Sequence, residues 1–350
     1  MKYYTLLGLA SLSTLSFTTL GQQVDMPTKD SPELNKLARE QGQWQLVWSD
    51  EFNGKKIDST KWGFEVNCHG GGNHEQQCYT DDPSNAFLAE GMLNIVAKRE
   101  THTGPAENGD TENTATLPYT SARLRTMNKG DWQYGRFEIR AKLPQGQGSW
   151  PAIWMLPTDW VYGGWAASGE IDIMEAVNLK TPTDAPNASK NTLESRVHGT
   201  LHYGASAPNN VYTGTPYVFS PEQNPADVFH VYALEWEQGE IRWYIDGEHY
   251  ATQRQAGWYS QYEEKGHLQN AKEDAPFNQR FHMLLNLAVG GTWSANVNQK
   301  GIDESVFPQS MLIDFVRVYQ CSSQPSTGKG CATLGKNAKL VEGKTAPSID

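Results

Sequence analysis

The segment Phe137-Glu138-Ile139-Arg140-Ala141-Lys142-Leu143 alternates apolar and charged side chains at every position. A period of two places the apolar side chains on one face of a β-strand and the charged ones on the other. This segment therefore predicts a strand in a sheet with a core on one side and solvent on the other.

Similar runs recur along most of the chain. They cover residues 44–48, 92–98, 135–143, 152–156, 170–177, 196–203, 230–237, 241–245, 282–288 and 311–319. The runs 234–237 and 241–245 flank Gly239 and predict a β-hairpin. The sequence shows no long helical periodicity and no strand–helix alternation. Many strands joined by short turns predict an all-β protein, a β-sandwich or jelly roll.

Composition limits the function before any motif is considered. The 350 residues carry 40 Asp and Glu against 29 Lys and Arg, a formal net charge of −11. A nucleic-acid-binding surface must be basic, so this charge argues against a nucleic-acid partner and fits a neutral or weakly charged substrate. The 12 Trp, 15 Tyr and 11 Phe are an aromatic excess.

The N-terminal residues differ from the rest of the chain. Lys2 precedes an apolar, hydroxyl-rich stretch that ends at Leu20, followed by Gly21. This arrangement is typical of a secretory signal peptide and is too short for a membrane span. We expect a signal peptide at 1–21, a leader at 22–40, a single domain at 41–320 and a flexible tail at 321–350. The mature protein would be secreted, with no membrane association.

Four cysteines support export. Cys68, Cys78, Cys321 and Cys331 allow three connectivities. The local pairs Cys68–Cys78 and Cys321–Cys331 are the simplest in an oxidising compartment. Neither pair has the C-x-x-C spacing of a zinc knuckle, and free thiols are less attractive outside the cell.

The segment Glu170-Ile171-Asp172-Ile173-Met174-Glu175 places three acids in an otherwise apolar strand. Residues two apart share a face, so Glu170 and Asp172 point together while the isoleucines face the core. Glu175 has the wrong parity, and a β-bulge near Ile173-Met174 would restore it. Acids gathered on one face raise the proton affinity of at least one of them. Such a cluster among aromatic residues suits acid/base chemistry on a sugar.

Two other interpretations compete with this one. An edge strand can carry solvent-facing acids that prevent aggregation, but this does not explain the third acid or its aromatic surroundings. A calcium-binding loop needs Gly and polar spacers, whereas here the spacers are Ile, Ile and Met.

The acidic segment with Gly169 resembles the active-site signature of glycoside hydrolase family 16. It has the longer E-x-D-x-x-E form found in laminarinases, agarases and carrageenases. The resemblance covers about residues 44–319. Further matching segments are Ser49-Asp50-Glu51-Phe52-Asn53-Gly54, Tyr134-Gly135-Arg136-Phe137-Glu138, Trp150-Pro151-Ala152-Ile153-Trp154-Met155-Leu156-Pro157, His198-Gly199-Thr200-Leu201-His202-Tyr203 and Asn286-Leu287-Ala288-Val289-Gly290-Gly291.

The resemblance implies a concanavalin-like β-jelly-roll sandwich with an open cleft on its concave sheet. It implies Glu170 as nucleophile, Glu175 as general acid/base and Asp172 as their electrostatic helper, in retaining hydrolysis. The carboxyl groups of the two glutamates should then approach to about 5–5.5 Å. The His-Gly-Thr-x-His-Tyr and Asn-Leu-Ala-Val-Gly-Gly segments look most like laminarinases, which implies endo-hydrolysis of β-1,3-glucan by a monomer without a catalytic cofactor.

Several residues are candidates for substrate binding, each with a plainer alternative. Trp150 and Trp154 share a strand face and offer flat sugar platforms, or are core residues. Arg123 matches a family arginine that bonds sugar hydroxyls, or is a surface ion-pair residue. His202 is a hydrogen-bond partner in the cleft or a structural histidine. Trp160 and Trp165 are weaker candidates for the rim.

Two positions depart from the family pattern. Asn73 matches a sugar-binding amide, but His74 and Thr292 stand where asparagines are usual. These changes imply an altered chain-length preference or tolerance of mixed linkages.

The resemblance also implies a structural calcium ion. Glu51, Gly91 and Asp314 are the positions carried over, and oxygen ligands suit this cation. A Lys or Arg partner would satisfy Asp314 equally well.

Two other functions stay open. An enzyme of the same fold could act on mixed β-1,3/1,4-glucan or on a galactan of the agarase or carrageenase type. A non-catalytic β-glucan-recognition protein is the alternative from another class, although such proteins usually lose the catalytic glutamates.

Overall fold

The computed structural model describes residues 43–349. The expected signal peptide and leader lie outside the described residues. Strands β1 to β8 are Trp44–Asp50, Gly63–Glu65, Gln77–Tyr79, Ala86–Ala89, Met92–Ala97, His102–Pro105, Thr114–Leu117 and Tyr119–Ser121. Strands β9 to β16 are Arg123–Arg125, Asp131–Trp132, Gly135–Lys142, Ser149–Pro157, Glu170–Glu175, Arg196–Gly204, Asn210–Val218 and His230–Glu237. Strands β17 to β23 are Glu240–Ile245, Glu248–Arg254, Gln261–Glu264, His267–Asn270, Phe281–Val289, Gln309–Cys321 and Lys339–Leu340.

Most strands belong to two sheets of a sandwich. The nine-stranded sheet has the order β23-β18-β17-β16-β11-β22-β5-β4, with β1 also paired to β22. The eight-stranded sheet has the order β15-β14-β13-β12-β21-β9-β2, with β10 also paired to β21. Neighbouring strands that are distant in sequence give a jelly-roll topology, and the all-β prediction is confirmed.

The core lies between the sheets, as the alternation predicts. Phe137, Ile139 and Ala141 of β11 are fully buried in the same cluster as Ile171 and Leu201 of the other sheet. Each fully buried large apolar side chain contributes about 1.5–3 kcal/mol to the free energy of unfolding.

Each of the ten predicted runs overlaps one strand, with ends that agree to within three residues, and the predicted hairpin is β16–β17. Sequence reasoning missed the other thirteen strands, of which β15 and β18 are the longest. Strand β15 contains Gly214 and Pro216, residues that are depleted in strands. Proline is tolerated there because β15 is the last strand of its sheet.

Both local disulfides are present: Cys68 pairs with Cys78, and Cys321 with Cys331. In residues 43–349 the one α-helix is Gly291–Ser294, and no helix is long and apolar enough to cross a membrane.

The segment after Cys321, for which we expect a flexible tail, packs along the sandwich. Strand β23 pairs in parallel with β18, and Val341 packs against the core. The amide of Lys344 donates to the hydroxyl of Tyr203 (2.8 Å). Backbone groups of this Ser-, Gly-, Lys- and Thr-rich segment make many of its contacts, and composition does not reveal them.

Candidate active site

A β-bulge brings the three acids of β13 to one face. Their Cα partners on β14 are His202 for Glu170, Thr200 for Asp172 and His198 for Glu175, with a register shift between the last two acids. The three partners are each two residues apart and so share a face. The bulge predicted from parity is therefore confirmed, and the intervening Ile171, Ile173 and Met174 are buried in the core.

Glu170 lies beside a hydrogen-bond donor and an imidazole. The indole Nε1 of Trp165 donates to its Oε2 (2.6 Å), and His202 Nε2 is 3.7 Å from its Oε1. Both contacts stabilise negative charge on Glu170. Trp165 was predicted as a rim residue, whereas it contacts Glu170 directly. Glu170, Asp172 and Glu175 are called the acid cluster below.

Asp172 lies between the two glutamates and is almost fully buried. Its Oδ2 is 3.3 Å from His202 Nε2, and the indole of Trp243 donates to its backbone carbonyl (2.8 Å). Burial and the charges of Glu175 and Glu170 raise the pKa of Asp172 well above its usual range. Burial opposes protonation of His202, but the charge of Glu170 and the hydrogen bond with Asp172 outweigh it and raise its pKa to about 10.

Glu175 is the glutamate of this strand that can carry a proton at neutral pH. Burial raises its pKa to about 7, although the charge of His202 and the hydrogen bond from Trp150 act in the opposite direction. The indole Nε1 of Trp150 donates to Glu175 Oε1 (2.9 Å). Neighbouring carboxyl groups whose environments differ in this way can divide acid and base roles.

Trp150 is held by a second tryptophan. The ring of Trp293 packs edge-on against it at 5.3 Å and against His198 at 5.1 Å. Sequence reasoning named Trp150 as a sugar platform and missed its contact with Glu175. Two further tryptophans, Trp236 and Trp243, lie in the core.

Arg123 and Trp154 lie together on one side of β13. The guanidinium of Arg123 lies over the rings of Tyr79 (4.3 Å) and Trp154 (5.2 Å) and donates to the Tyr79 hydroxyl (3.2 Å). The Trp154 indole donates to Asn286 Oδ1 (2.7 Å), and Asn286 donates to Tyr79 (3.1 Å). Glu65 accepts from Arg123 (3.3 Å). This polar cluster brings two predicted substrate-binding residues together.

Asn73 belongs to the loop closed by the Cys68–Cys78 disulfide. Its side-chain amide donates to Glu75 Oε1 (3.1 Å), and its backbone carbonyl accepts from the backbone amide of Thr292 (2.8 Å). Glu75 is buried and was missed, although a glutamate followed by two glutamines in a Gly-rich segment is a visible signal.

The two residues that depart from the family pattern, His74 and Thr292, line the same cavity. A cavity of about 350 Å³ is lined by residues that include His74, Gln76, Thr292 and Asn296.

The two carboxylates among the predicted calcium ligands have arginine partners. Arg317 donates to both carboxylate oxygens of Glu51 (2.9 Å each), and Arg140 donates to Asp314 (2.6 Å). These ion pairs balance the charge of both carboxylates, as the arginine alternative for Asp314 anticipated. Calcium binding at Glu51, Gly91 and Asp314 stays a prediction.

In the described part of the chain, one group of side chains has atoms close enough together to hold a metal ion. Atoms of Glu170, Asp172 and His202 lie within 4.8 Å of one another.

A sandwich with two glutamates in contrasting environments on one sheet face is the arrangement of a glycoside hydrolase. The profile described as "Beta-porphyranase A-D, GH16 domain" matches residues 44–321. The chain belongs to glycoside hydrolase family 16.

Known proteins agree with this assignment. The chain is 40% identical over 289 residues to a protein named Beta-glucanase from Rhodothermus marinus, covering 79% of this chain and 85% of the relative. It is 38% identical to Glucan endo-1,3-beta-glucosidase A1 from Niallia circulans, over 79% of this chain and only 38% of that longer protein.

A solved structure and a binding protein extend the comparison. The laminarinase of R. marinus has a TM-score of 0.61 and 38% identity, covering 79% of this chain and 98% of that structure. A protein from Penaeus monodon named Beta-1,3-glucan-binding protein is 33% identical over 71% of this chain and 74% of its own length. The family thus includes relatives named for binding as well as for hydrolysis.

Proposed function

We propose that the chain is a secreted, retaining endo-hydrolase of β-1,3-glucan. The observation that carries this proposal is the contrast between the two glutamates on one face of β13. Glu170 accepts a hydrogen bond from Trp165 and lies beside the imidazole of His202, contacts that suit an attacking carboxylate. Glu175 is half-buried, and loss of solvation raises its pKa to about 7, which favours a protonated acid.

The first step forms a covalent glycosyl-enzyme. A carboxylate oxygen of Glu170 attacks the anomeric carbon, and Glu175 gives its proton to the glycosidic oxygen as the bond to the leaving sugar breaks. In the second step Glu175 takes a proton from water, the water oxygen bonds to the anomeric carbon, and the bond to Glu170 breaks. Two inversions give net retention.

Asp172 and His202 support this exchange without bonding to the sugar. The imidazolium next to Glu170 limits the repulsion among three neighbouring acids. The 3.3 Å ion-pair contact of His202 with Asp172 helps to keep that ring in place while the charge on Glu170 changes.

The names of the relatives and the chemistry of the cleft support a glucan substrate. Both close relatives are named for glucan hydrolysis, one of them for 1,3-linkages. Arg123, the cation in the polar cluster, is already paired with Glu65. A neutral polysaccharide therefore fits better than a sulfated one. The N-terminal sequence and the two disulfides support secretion.

A galactan is the second candidate substrate, because the family profile that matches this chain carries the description "Beta-porphyranase A-D, GH16 domain". Mixed β-1,3/1,4-glucan is a related alternative. A purely glucan-binding role is favoured by the Penaeus relative and opposed by the presence of both glutamates and their contrasting surroundings.

The test is release of reducing sugar by the mature protein from laminarin, barley β-glucan, agarose, carrageenan and porphyran, with Glu170→Ser as control. Release from laminarin by wild type alone supports the reaction, the site and the substrate. Release only from a galactan contradicts the substrate. Binding of laminarin without cleavage of any substrate indicates the recognition class. The product anomer, followed by proton NMR, must be β at first, since inversion would exclude Glu170 as nucleophile.

A further inference from the structure

Tyr212 lies at the edge of the sheet that carries the acid cluster. Strand β15 is the last strand of that sheet, and its side chains alternate between half-buried and exposed. Tyr212 is 70% exposed, which makes it the most exposed aromatic side chain in residues 43–349. An exposed tyrosine ring on a sheet face offers a flat, mostly apolar surface to a ligand.

Tyr212 stands in one row with Glu170 and His202. Glu170 pairs with His202 across β13 and β14, and His202 pairs with Tyr212 across β14 and β15. Directly paired residues of neighbouring antiparallel strands face the same side of the sheet. Adjacent strands are about 4.8 Å apart, so the backbone of Tyr212 is about 10 Å from that of Glu170.

The rings in this row form a continuous surface. The ring of Tyr212 is 5.7 Å from that of His202 at an interplanar angle of 35°. The ring of His202 is 5.5 Å from that of Trp165 at 41°. Since Trp165 donates to Glu170, the aromatic surface begins at the nucleophile and ends at the sheet edge.

The opposite side of β13 has a different character. Arg123, Trp154 and Asn286 lie on β9, β12 and β21, joined through the hydroxyl of Tyr79 and the bond between Trp154 and Asn286. Directional donors suit the sugar that must be held in place while its anomeric carbon reacts twice. A sugar that departs and is replaced by water needs contact without a fixed set of hydrogen bonds, which an aromatic face provides.

We propose that Tyr212 is a stacking platform for the sugar unit on the leaving-group side of the scissile bond. The inference rests on the proposed function and adds an acceptor site to it. In the first step Tyr212 binds the sugar that leaves. In the second step the same surface holds an incoming sugar, whose hydroxyl oxygen bonds to the anomeric carbon while its proton goes to Glu175 and the bond to Glu170 breaks. Transglycosylation then competes with hydrolysis.

Two substrates separate this role from the rest of catalysis. Laminaripentaose has a sugar leaving group, whereas β-laminaribiosyl fluoride loses fluoride and leaves the Tyr212 side without a sugar. We expect Tyr212→Ala to lower kcat/KM for the pentaose about tenfold and to leave fluoride release within about twofold of wild type. Tyr212→Phe keeps the ring and should retain both activities. With added laminaribiose, Tyr212→Ala should also lower the ratio of transfer to hydrolysis.

Val218→Ala is the matched control. Val218 is 65% exposed on the same face of β15, about 20 Å from Tyr212 along the strand, and its truncation should change neither activity. Equal losses by Tyr212→Ala on both substrates, or no loss on the pentaose, would overturn the platform. Failure of wild type to release fluoride or to cleave the pentaose would reject the proposed function, and with it this acceptor site.

Discussion

The indole of Trp150 donates a hydrogen bond to the carboxyl group of Glu175, with 2.9 Å between Nε1 and Oε1. The residues lie on neighbouring strands, β12 and β13, and Trp293 packs edge-on against the Trp150 ring. A hydrogen-bond donor stabilises the ionised form of a carboxyl group, while burial stabilises the protonated form. Their balance sets the pH at which Glu175 loses its proton.

The pH dependence of activity should report this balance. The general acid must be protonated in the free enzyme, and burial raises the pKa of Glu175 to about 7. We expect kcat/KM on laminarin to fall about tenfold per pH unit above roughly pH 7. In Glu175→Ala, an activated aryl β-glucoside should be hydrolysed without this alkaline limb, and azide should partly restore turnover. An alkaline limb that persists in Glu175→Ala would assign the acid to another group.

Removing the indole N–H of Trp150 should shift the alkaline limb of the pH–activity profile. Trp150→Phe keeps an aromatic ring but removes the donor that lowers the pKa of Glu175. A hydrogen bond to a charged group contributes about 1.5–3 kcal/mol, so the alkaline limb should shift upward by about one to two pH units. Trp154→Phe is the control, because the Trp154 indole donates to Asn286 instead. It should weaken substrate binding and leave the limb in place. A downward shift in Trp150→Phe would contradict the assigned role.

The strands and the acid face could be predicted because they depend on local pattern. Alternation in β11 and the parity of Glu175 are properties of a few consecutive residues. Contacts that depend on which strands become neighbours could not be derived in this way. The pairing of His202 with Tyr212 and the contact of Trp165 with Glu170 need the three-dimensional path of the chain. The packing of the C-terminal segment against the sandwich depends on backbone contacts, which amino-acid composition does not reveal.

Glu194 should stabilise the protein in a pH-dependent manner. Its buried carboxylate accepts hydrogen bonds from Arg196, Thr183 and Asn298 and so joins two loops beside the sheet. Burial alone would raise its pKa, but the hydrogen bonds from Arg196 outweigh this effect and lower the pKa to about 2. The stabilisation is therefore complete above the unfolded pKa of about 4.5 and is lost as the pH falls toward 2.

We expect Glu194→Gln to lower the free energy of unfolding by about 2 kcal/mol at pH 7, with a smaller difference from wild type below pH 4. Urea unfolding at several pH values measures this. The exposed Glu222 is the control position, where Gln should have little effect. If the loss of unfolding free energy in Glu194→Gln grew as the pH fell, the predicted direction of the pH dependence would be wrong.

The C-terminal segment should stabilise the sandwich without serving catalysis. Removal of residues 333–350 deletes β23, the core contact of Val341 and the bond between Lys344 and Tyr203. It also exposes Glu235, which accepts from the amide of Thr333 (3.0 Å). The Cys321–Cys331 disulfide is retained. Because these groups lie along the nine-stranded sheet and the core side of β14, the acid cluster keeps its contacts.

We expect this deletion to lower Tm by roughly 5–10 °C, from the loss of about 3 kcal/mol, while kcat/KM at 25 °C stays near that of wild type. Deletion of residues 345–350 alone keeps β23, Val341 and Lys344 and should have a much smaller effect on Tm. Thermal unfolding and laminarin assays of both variants measure the two quantities. An unchanged Tm in the longer deletion would show that the segment does not hold the sheets together. A loss of activity without a loss of Tm would place it in the catalytic machinery instead.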